Sequence, residues 1–224
     1  MAKKTDQNKP WNRRQSQSKV YALESRAANT RRFVIYCEGT NTEPCYFESF
    51  PVATAEVVTF GLGRSKTSLV ERVIGLVAQE EPDPEREIWI VFDMDTDPQK
   101  DRTLQRNDFE RAIHLANTQG FRVAYSNDSF ELWFLLHYQF LEAALTRVEF
   151  YQILGEHWSM SYERDGKGRQ FCRSVYQRLL SNQATAIRHA ERLHRQQAAH
   201  QPADQNPCTT VYQLVSELNK YLKK

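Results

Sequence analysis

Short apolar runs alternating with amphipathic helical patterns predict an α/β fold: a four-stranded parallel sheet flanked by helices, with a C-terminal helical extension. Three observations carry that prediction. Ile88 to Phe92 is a run of β-formers with no polar alternation, the pattern of a strand buried on both faces. Phe33 to Cys37 has the same character and also stops on a carboxylate, Glu38, followed by Gly39. Between them, Leu69, Val70, Val73, Ile74 and Val77 recur at helical spacing on one face of a segment running from Ser68 to Gln79.

The elements follow in order. Strand 33–37 ends where Gly39 allows a sharp turn. Thr40 to Thr42 then offer caps for a short helix, 43–50, with Pro44 tolerated in its first turn. A second strand covers 56–60, and Gly61-Leu-Gly63 leads to helix 68–79. Strand 87–92 runs into a polar loop, 93–106. Asn107, with Glu110 three residues on, has the form of a capping box for the next helix, which stops at Gly120. Strand 121–125 and an apolar helix from Phe130 complete the core, with Ser126 to Ser129 as turn and cap. The later periodicity is helical, over about 147–156, 171–181, 183–200 and 209–222, and Asn206-Pro207 makes a rigid entry to the last helix. The expected organisation is a basic flexible leader (1–30), an α/β core (31–140) and a helical extension completing the domain (141–224).

With 224 residues the chain can bury roughly 70% of its unfolded surface, so it needs no disulfide staple. Charge is unevenly spread. Residues 1–32 carry nine Lys and Arg against Asp6 and Glu24, whereas the remainder has 21 basic and 26 acidic side chains. A basic, polar arm of this kind is suited to contacting phosphates, including those of nucleic acid. The four Cys and six His show no zinc-ligand spacing, which points to a reduced, cytoplasmic setting. Leu132 to Leu141 is too short to span a bilayer, and no apolar segment follows the leading charges, so no membrane association is expected.

The chemistry concentrates at strand ends. Extended residues repeat every second position, so Asp93 and Asp95 can point the same way. Two carboxylates that close repel, and a hard divalent cation such as Mg²⁺ relieves the repulsion. The competing reading is a turn, for which Asp is equally suited. Glu38 sits on the carboxyl edge of its own strand, and in a parallel sheet those edges lie side by side. Glu131, in the first turn of an apolar helix, either complements the helix dipole or faces the same site. Asn127 lies one turn away from it. The loop from Tyr162 to Arg169 reads as flexible and basic, a lid bringing Lys167 or Arg169 toward a phosphate or simply a loop.

Glu-Gly after the first strand, Asp-x-Asp after the third and a four-stranded βα core together resemble the Toprim domain. More closely, the whole chain resembles the RloB family. The pieces that carry the resemblance are Arg31-Arg32, Tyr36-Cys-Glu-Gly-Thr-Asn-Thr-Glu43 with Tyr46-Phe47, Val91-Phe-Asp-Met-Asp95, Ser126-Asn127, Phe130-Glu-Leu-Trp-Phe-Leu-Leu-His137, and Asn206-Pro207 with Thr209-Thr-Val211. They keep their order over nearly the full length. The resemblance implies a Toprim-like fold and a prokaryotic anti-phage (abortive-infection) protein associated with restriction loci, often paired with an ATPase. It also implies a nuclease dependent on Mg²⁺ or Mn²⁺, with RNA such as tRNA favoured over DNA. On that reading Glu38, Asp93 and Asp95 are catalytic and metal-binding, Asp97 extends the metal set, and Glu131 joins the catalytic group. Asn127, Lys167, Arg31 and Arg32 would contact substrate. The oligomeric state is open, a homo-oligomer included.

Two other readings compete. Asp93-Met-Asp95 also matches the nucleophile and acid of a haloacid-dehalogenase-type phosphatase, but the motif lies on the third strand and Asp97 stands where that family places Thr or Val. The stronger rival is a non-hydrolytic module that binds nucleic acid or nucleotide and regulates a partner ATPase. A covalent tyrosine, as in topoisomerases, would need a second catalytic domain.

Overall fold

Alternate residues of each central strand feed two separate cores. Phe33, Ile35, Cys37, Trp89, Val91 and Ala124 face one side, while Val34, Tyr36, Ile88, Ile90, Phe92 and Tyr125 face the other. A sheet covered on both faces is what continuous apolar strands require. The computed structural model describes residues 30–166 and 168–223. The basic leader up to residue 29 therefore lies outside the described residues, as does Lys167.

The strands are β1 (Arg31–Cys37), β2 (Ala55–Gly61), β3 (Arg86–Asp93), β4 (Arg122–Asn127) and β5 (Cys208–Thr209). Their order in the sheet is β2-β1-β3-β4-β5, with the first four parallel and β5 antiparallel to β4. Helices α1 (Thr42–Glu48), α2 (Lys66–Val77), α3 (Arg102–Thr118) and α4 (Glu131–Leu135) follow the first four strands in turn. Helices α5 (Arg147–Trp158), α6 (Arg169–Leu179), α7 (Gln183–Gln196) and α8 (Val211–Asn219) complete the chain. The mixed α/β class is as the sequence predicts.

Helices α2 and α3 cover one face through Leu69, Val70, Val73, Phe109, Ala112 and Ala116. The opposite face carries α1, α4 and the later helices. Tyr46, Phe47, Phe130, Phe134 and Tyr176 meet there in edge-on and tilted contacts with ring centroids 5.2 to 6.2 Å apart. Burying each such ring contributes roughly 2–3 kcal/mol. Phe150, Leu154, Val175, Leu193, Leu214 and Leu218 belong to this same core, so α5 to α8 pack on the sheet as part of one body. None of the described helices is long and apolar enough to cross a membrane.

Several local expectations change. The sheet has a fifth strand where the sequence pattern suggests only the start of the last helix. Two residues are too short for an alternation to register, and side chains hold them: Ser126 and Thr209 hydroxyls lie 3.0 Å apart, and Tyr125 N–H donates to Thr210 Oγ1 at 2.9 Å. Helix α3 begins at Arg102 rather than beyond Asn107. Asp101 is the cap, its carboxylate accepting from Leu104 N–H at 2.9 Å, so the capping-box pattern at 107–110 lies inside the helix. Asn41 and Phe130, the caps of α1 and α4, make no side-chain cap hydrogen bond. The first part of the 162–169 loop is a π-helical turn, Tyr162–Gly166, anchored by the buried Tyr162 ring.

One glycine is set by close approach. A Cβ on Gly61, at the end of β2, would lie 2.5 Å from Thr40 Cα and 2.6 Å from Gly39 O. Both neighbours are backbone of the loop that follows β1, so neither can swing aside. Gly61→Ala is expected to destabilise the chain by about 2 kcal/mol through this overlap. Urea unfolding checks it; an unchanged midpoint would mean that the two loops are not in contact.

Candidate active site

The strand order reverses between β1 and β3. The chain leaves β1 toward β2 on one side and returns as β3 on the other. At such a point the loops after neighbouring strands part and open a crevice at the carboxyl edge. Glu38 follows β1, its N–H still donating to Val91 O of β3 at 2.9 Å. Its carboxylate reaches across, and Glu38 Oε2 accepts from Asp93 N–H at 3.3 Å. Asp93 ends β3 in register with Ser126 of β4. One Asp93 oxygen, Oδ2, accepts from Phe130 N–H at 2.9 Å at the entry to α4. The other, Oδ1, is buried and has no hydrogen-bond partner.

Five carboxylates line one recess of about 220 Å³: Glu38, Glu43, Asp93, Asp95 and Glu131. Arg147 is the single cationic side chain among its lining residues. Glu43, in the first turn of α1, is only 8% exposed and lies against Gly39. A Cβ on Gly39 would meet Glu43 Oε2 at 2.2 Å, so the Glu-Gly step makes room for this second carboxylate. Glu131 is also buried. Its Oε2 accepts from Ser129 Oγ at 2.8 Å and its Oε1 from Tyr162 O–H at 3.2 Å.

This crowding governs protonation. Burial raises the Asp93 carboxyl well above the usual range, and the neighbouring charges of Glu43, Glu38 and Glu131 push it further. Burial also raises Glu38, partly offset by Lys66 and by the Asp93 N–H. Burial, with Glu131 and Glu38 adding to it, pushes Glu43 up to about 7.

Asp95 departs from the extended geometry that the two-residue repeat assumes. Its φ is +43°, a left-handed conformation that Asp tolerates better than most residues. Its N–H donates to Asp128 O at 2.9 Å, and its Oδ1 pairs with the Arg147 guanidinium from the first turn of α5. Asp93 and Asp95 thus reach one recess through a turn rather than by strand alternation.

The donor set suits a hard divalent cation. Every candidate ligand atom is oxygen, and Asp93 Oδ1 has no partner. No group of three or more His, Cys, Asp or Glu among the described residues is arranged to hold a metal ion as it stands. A hard cation such as Mg²⁺ takes one or two protein carboxylates and completes its shell with water. Asp93, with Glu38 or Asp95, would hold it.

The RloB-like protein family model matches residues 33–218, most of the chain. The chain belongs to the RloB-like family. The match covers β1 through nearly all of α8, and with them every carboxylate of the recess. No curated protein and no solved structure matches it.

Of the residues singled out in this RloB-like chain, Glu38, Asp93, Asp95 and Glu131 come together in this recess, while Asp97 and Asn127 line the adjoining cleft with Glu38 and Asp95. Asp97 is absent from the recess lining. Its Oδ1 accepts from Gln99 N–H at 3.0 Å, its Oδ2 pairs with Lys100 at 3.2 Å, and these contacts lower its pKa. It closes a turn, the alternative the sequence already offered. Asn127 directs its amide to the carbonyls of Pro202 and Ala203 at 3.4 and 3.1 Å, so its donor holds the chain entering β5. Arg31 and Arg32 open β1, at the opposite edge of the sheet. Arg31 pairs with Glu87, and Arg32 with Glu56 and Asp83 at 3.7 and 3.6 Å. A strand length separates them from the recess, roughly 20 Å at the usual rise. Lys167 lies outside the described residues, as does the Arg169 side chain.

Sequence reasoning missed Glu43 and Arg147. Glu43 reads as an ordinary first-turn acid, and its only signal was Gly39 four residues earlier. The link between Arg147 and Asp95 spans 52 residues, with no local trace.

Glu43 gives the chain a pH signature. Its ordinary value is 4.5 and its folded value about 7, so between them the folded state binds more protons than the unfolded. Its contribution to stability therefore declines as pH rises from 4.5 to 7 and is constant above. In metal-free buffer, Glu43→Gln is expected to gain on wild type across that window, by at most ~3 kcal/mol. Thermal unfolding of both proteins over the range checks this; parallel curves would show that Glu43 ionises freely.

Proposed function

We propose that this RloB-like chain is a metal-dependent nuclease of Toprim type, hydrolysing phosphodiester bonds with RNA as the favoured substrate, and acting in anti-phage defence. The observation that carries the reading is the gathering of carboxylates from the ends of β1 and β3 and the first turns of α1 and α4 in one recess, with Asp93 Oδ1 left unpartnered. Carboxylates this crowded invite a compensating cation, and a phosphodiester brings the oxygens that complete its shell. The defence context and a partner ATPase are what the resemblance to the RloB family implies.

The residues divide the work. Asp93 and Asp95 would anchor Mg²⁺ or Mn²⁺, which when bound would polarise the scissile phosphate and lower the pKa of an attacking water. Glu38, whose carboxyl burial raises from its ordinary value, is suited to take that proton. Glu43, near 7, can hold or release a proton within the same recess. Arg147 would steady Asp95 and offer its remaining N–H groups to a phosphate. Glu131, fixed by Ser129 and Tyr162, completes the wall.

One observation favours a second reading. Arg147 already pairs with Asp95, so the recess carries an internal counter-charge, which suits a non-hydrolytic module regulating a partner ATPase.

The test is cleavage of tRNA, single-stranded RNA and duplex DNA by purified protein with Mg²⁺ or Mn²⁺. Asp95→Asn is expected to lower the rate by at least ~100-fold while remaining folded, because Asn also tolerates the left-handed backbone. Asp97→Ala is expected to keep wild-type activity. Equal rates in wild type and Asp95→Asn would remove the recess from the chemistry. Silence on all substrates, with metal bound, would favour the regulatory module.

A further inference from the structure

A larger cleft of about 1200 Å³ adjoins the acid recess and shares Glu38, Asp95 and Arg147 with it; Ser65, Lys66 and Arg102 also border it, as do Asp97, Asp108, Asp128 and Asp204. Most cations along it are already engaged: Arg147 with Asp95, Arg106 with Asp204, and Lys100 with Asp97. Lys66 is different. It is only 8% exposed, yet among the described residues it makes no hydrogen bond or ion pair. Its charge is felt by Glu38 from beyond ion-pair reach. The aliphatic stem is enclosed while the ammonium end reaches the cleft, where the anion of a ligand can pair with it.

The backbone adds to the same spot. Lys66 opens α2 with φ +46°, a left-handed conformation that is strained for a non-glycine residue. The Ser65 side chain makes no cap hydrogen bond, so the first N–H groups of this twelve-residue helix lack a side-chain acceptor. The Thr67 hydroxyl is turned away, donating to Asp108 O at 3.1 Å. Uncapped N–H groups, the positive end of the helix dipole and an unpaired ammonium converge where the cleft meets Glu38.

We propose that Lys66 and the first turn of α2 form a phosphate seat, which takes the phosphoryl group next to the one facing the acid recess. A polyanionic strand crossing five carboxylates needs a positive anchor beside them, and Lys66 is a cation of the cleft without a counter-ion. The seat rests on the nucleic-acid part of the proposed function and not on cleavage. A nucleotide phosphate would share its chemistry.

Binding of a fluorescein-labelled short single-stranded RNA, followed by anisotropy in EDTA across a salt series, tests the seat without turnover. Lys66→Gln is expected to weaken binding about tenfold at low salt and to flatten the slope of log K against log salt by ~0.7, the share of one phosphate, while Lys66→Arg keeps both. Competition by 5′-AMP in wild type but not in Lys66→Gln would assign the seat to a nucleotide; an RNA effect without that competition would assign it to a strand. Either result places a phosphate on Lys66. Loss of RNA binding in Lys66→Gln, with no cleavage by wild type on any substrate, keeps the seat and discards the nuclease. Unchanged affinity and slope in Lys66→Gln, or no binding of RNA or 5′-AMP by wild type, overturns the proposal. Thermal melting separates a structural role, since removing an unpaired lysine charge should leave Tm equal or higher. A lower Tm in both Lys66→Gln and Lys66→Met, with binding lost only in proportion to unfolding, would make Lys66 the counter-ion of Glu38 and overturn the seat.

Discussion

Carboxylates that share a small recess cannot all ionise without a compensating charge, and much of this structure can be read as the management of that repulsion. Five line the space where the strand order reverses, and Arg147 is their single cationic neighbour. Asp93 is the most constrained, with one oxygen tied to the Phe130 N–H and the other enclosed without a partner. A core of aromatic residues underneath, Tyr46, Phe47, Phe130 and Phe134, fixes the two short helices from which Glu43 and Glu131 project. The apolar packing thereby supplies the low local polarity that pushes Glu43 and Asp93 toward their protonated forms.

Much of the frame was legible because it depends on local periodicity. Four parallel strands announce themselves as apolar runs, and two of them end on acids at Glu38 and Asp93. Chain direction alone then brings those acids to one edge. Glu131 was legible as a carboxylate set among large apolar residues. What escaped was non-local or too short to pattern. Arg147 comes from a helix on the far side of a long connection, and β5 is two residues held by threonine hydroxyls. Asp101 outcompeted the expected cap at Asn107 because its carboxylate reaches Leu104 N–H directly.

Asp97 and the two leading arginines show the opposite lesson. An acidic triplet spaced by two looks like one ligand set, but the left-handed turn at Asp95 breaks the alternation, and Asp97 becomes a turn acid paired with Lys100. Arg31 and Arg32 stand in an informative motif, yet strand direction carries them to the far edge, where Glu87, Glu56 and Asp83 occupy them. Proximity to a motif in sequence is a weak guide once the element is extended, since every residue adds about 3.3 Å.

The central claim is that the recess accepts a divalent cation as the answer to its own crowding. Calorimetric titration of the metal-free chain with Mn²⁺, in two buffers of different ionisation enthalpy, tests it most directly. The account predicts saturable binding with net proton release, because raised carboxyl groups must ionise to coordinate, and loss of both in Asp93→Asn. Absence of binding, or binding that Asp93→Asn leaves intact and without proton release, would contradict it.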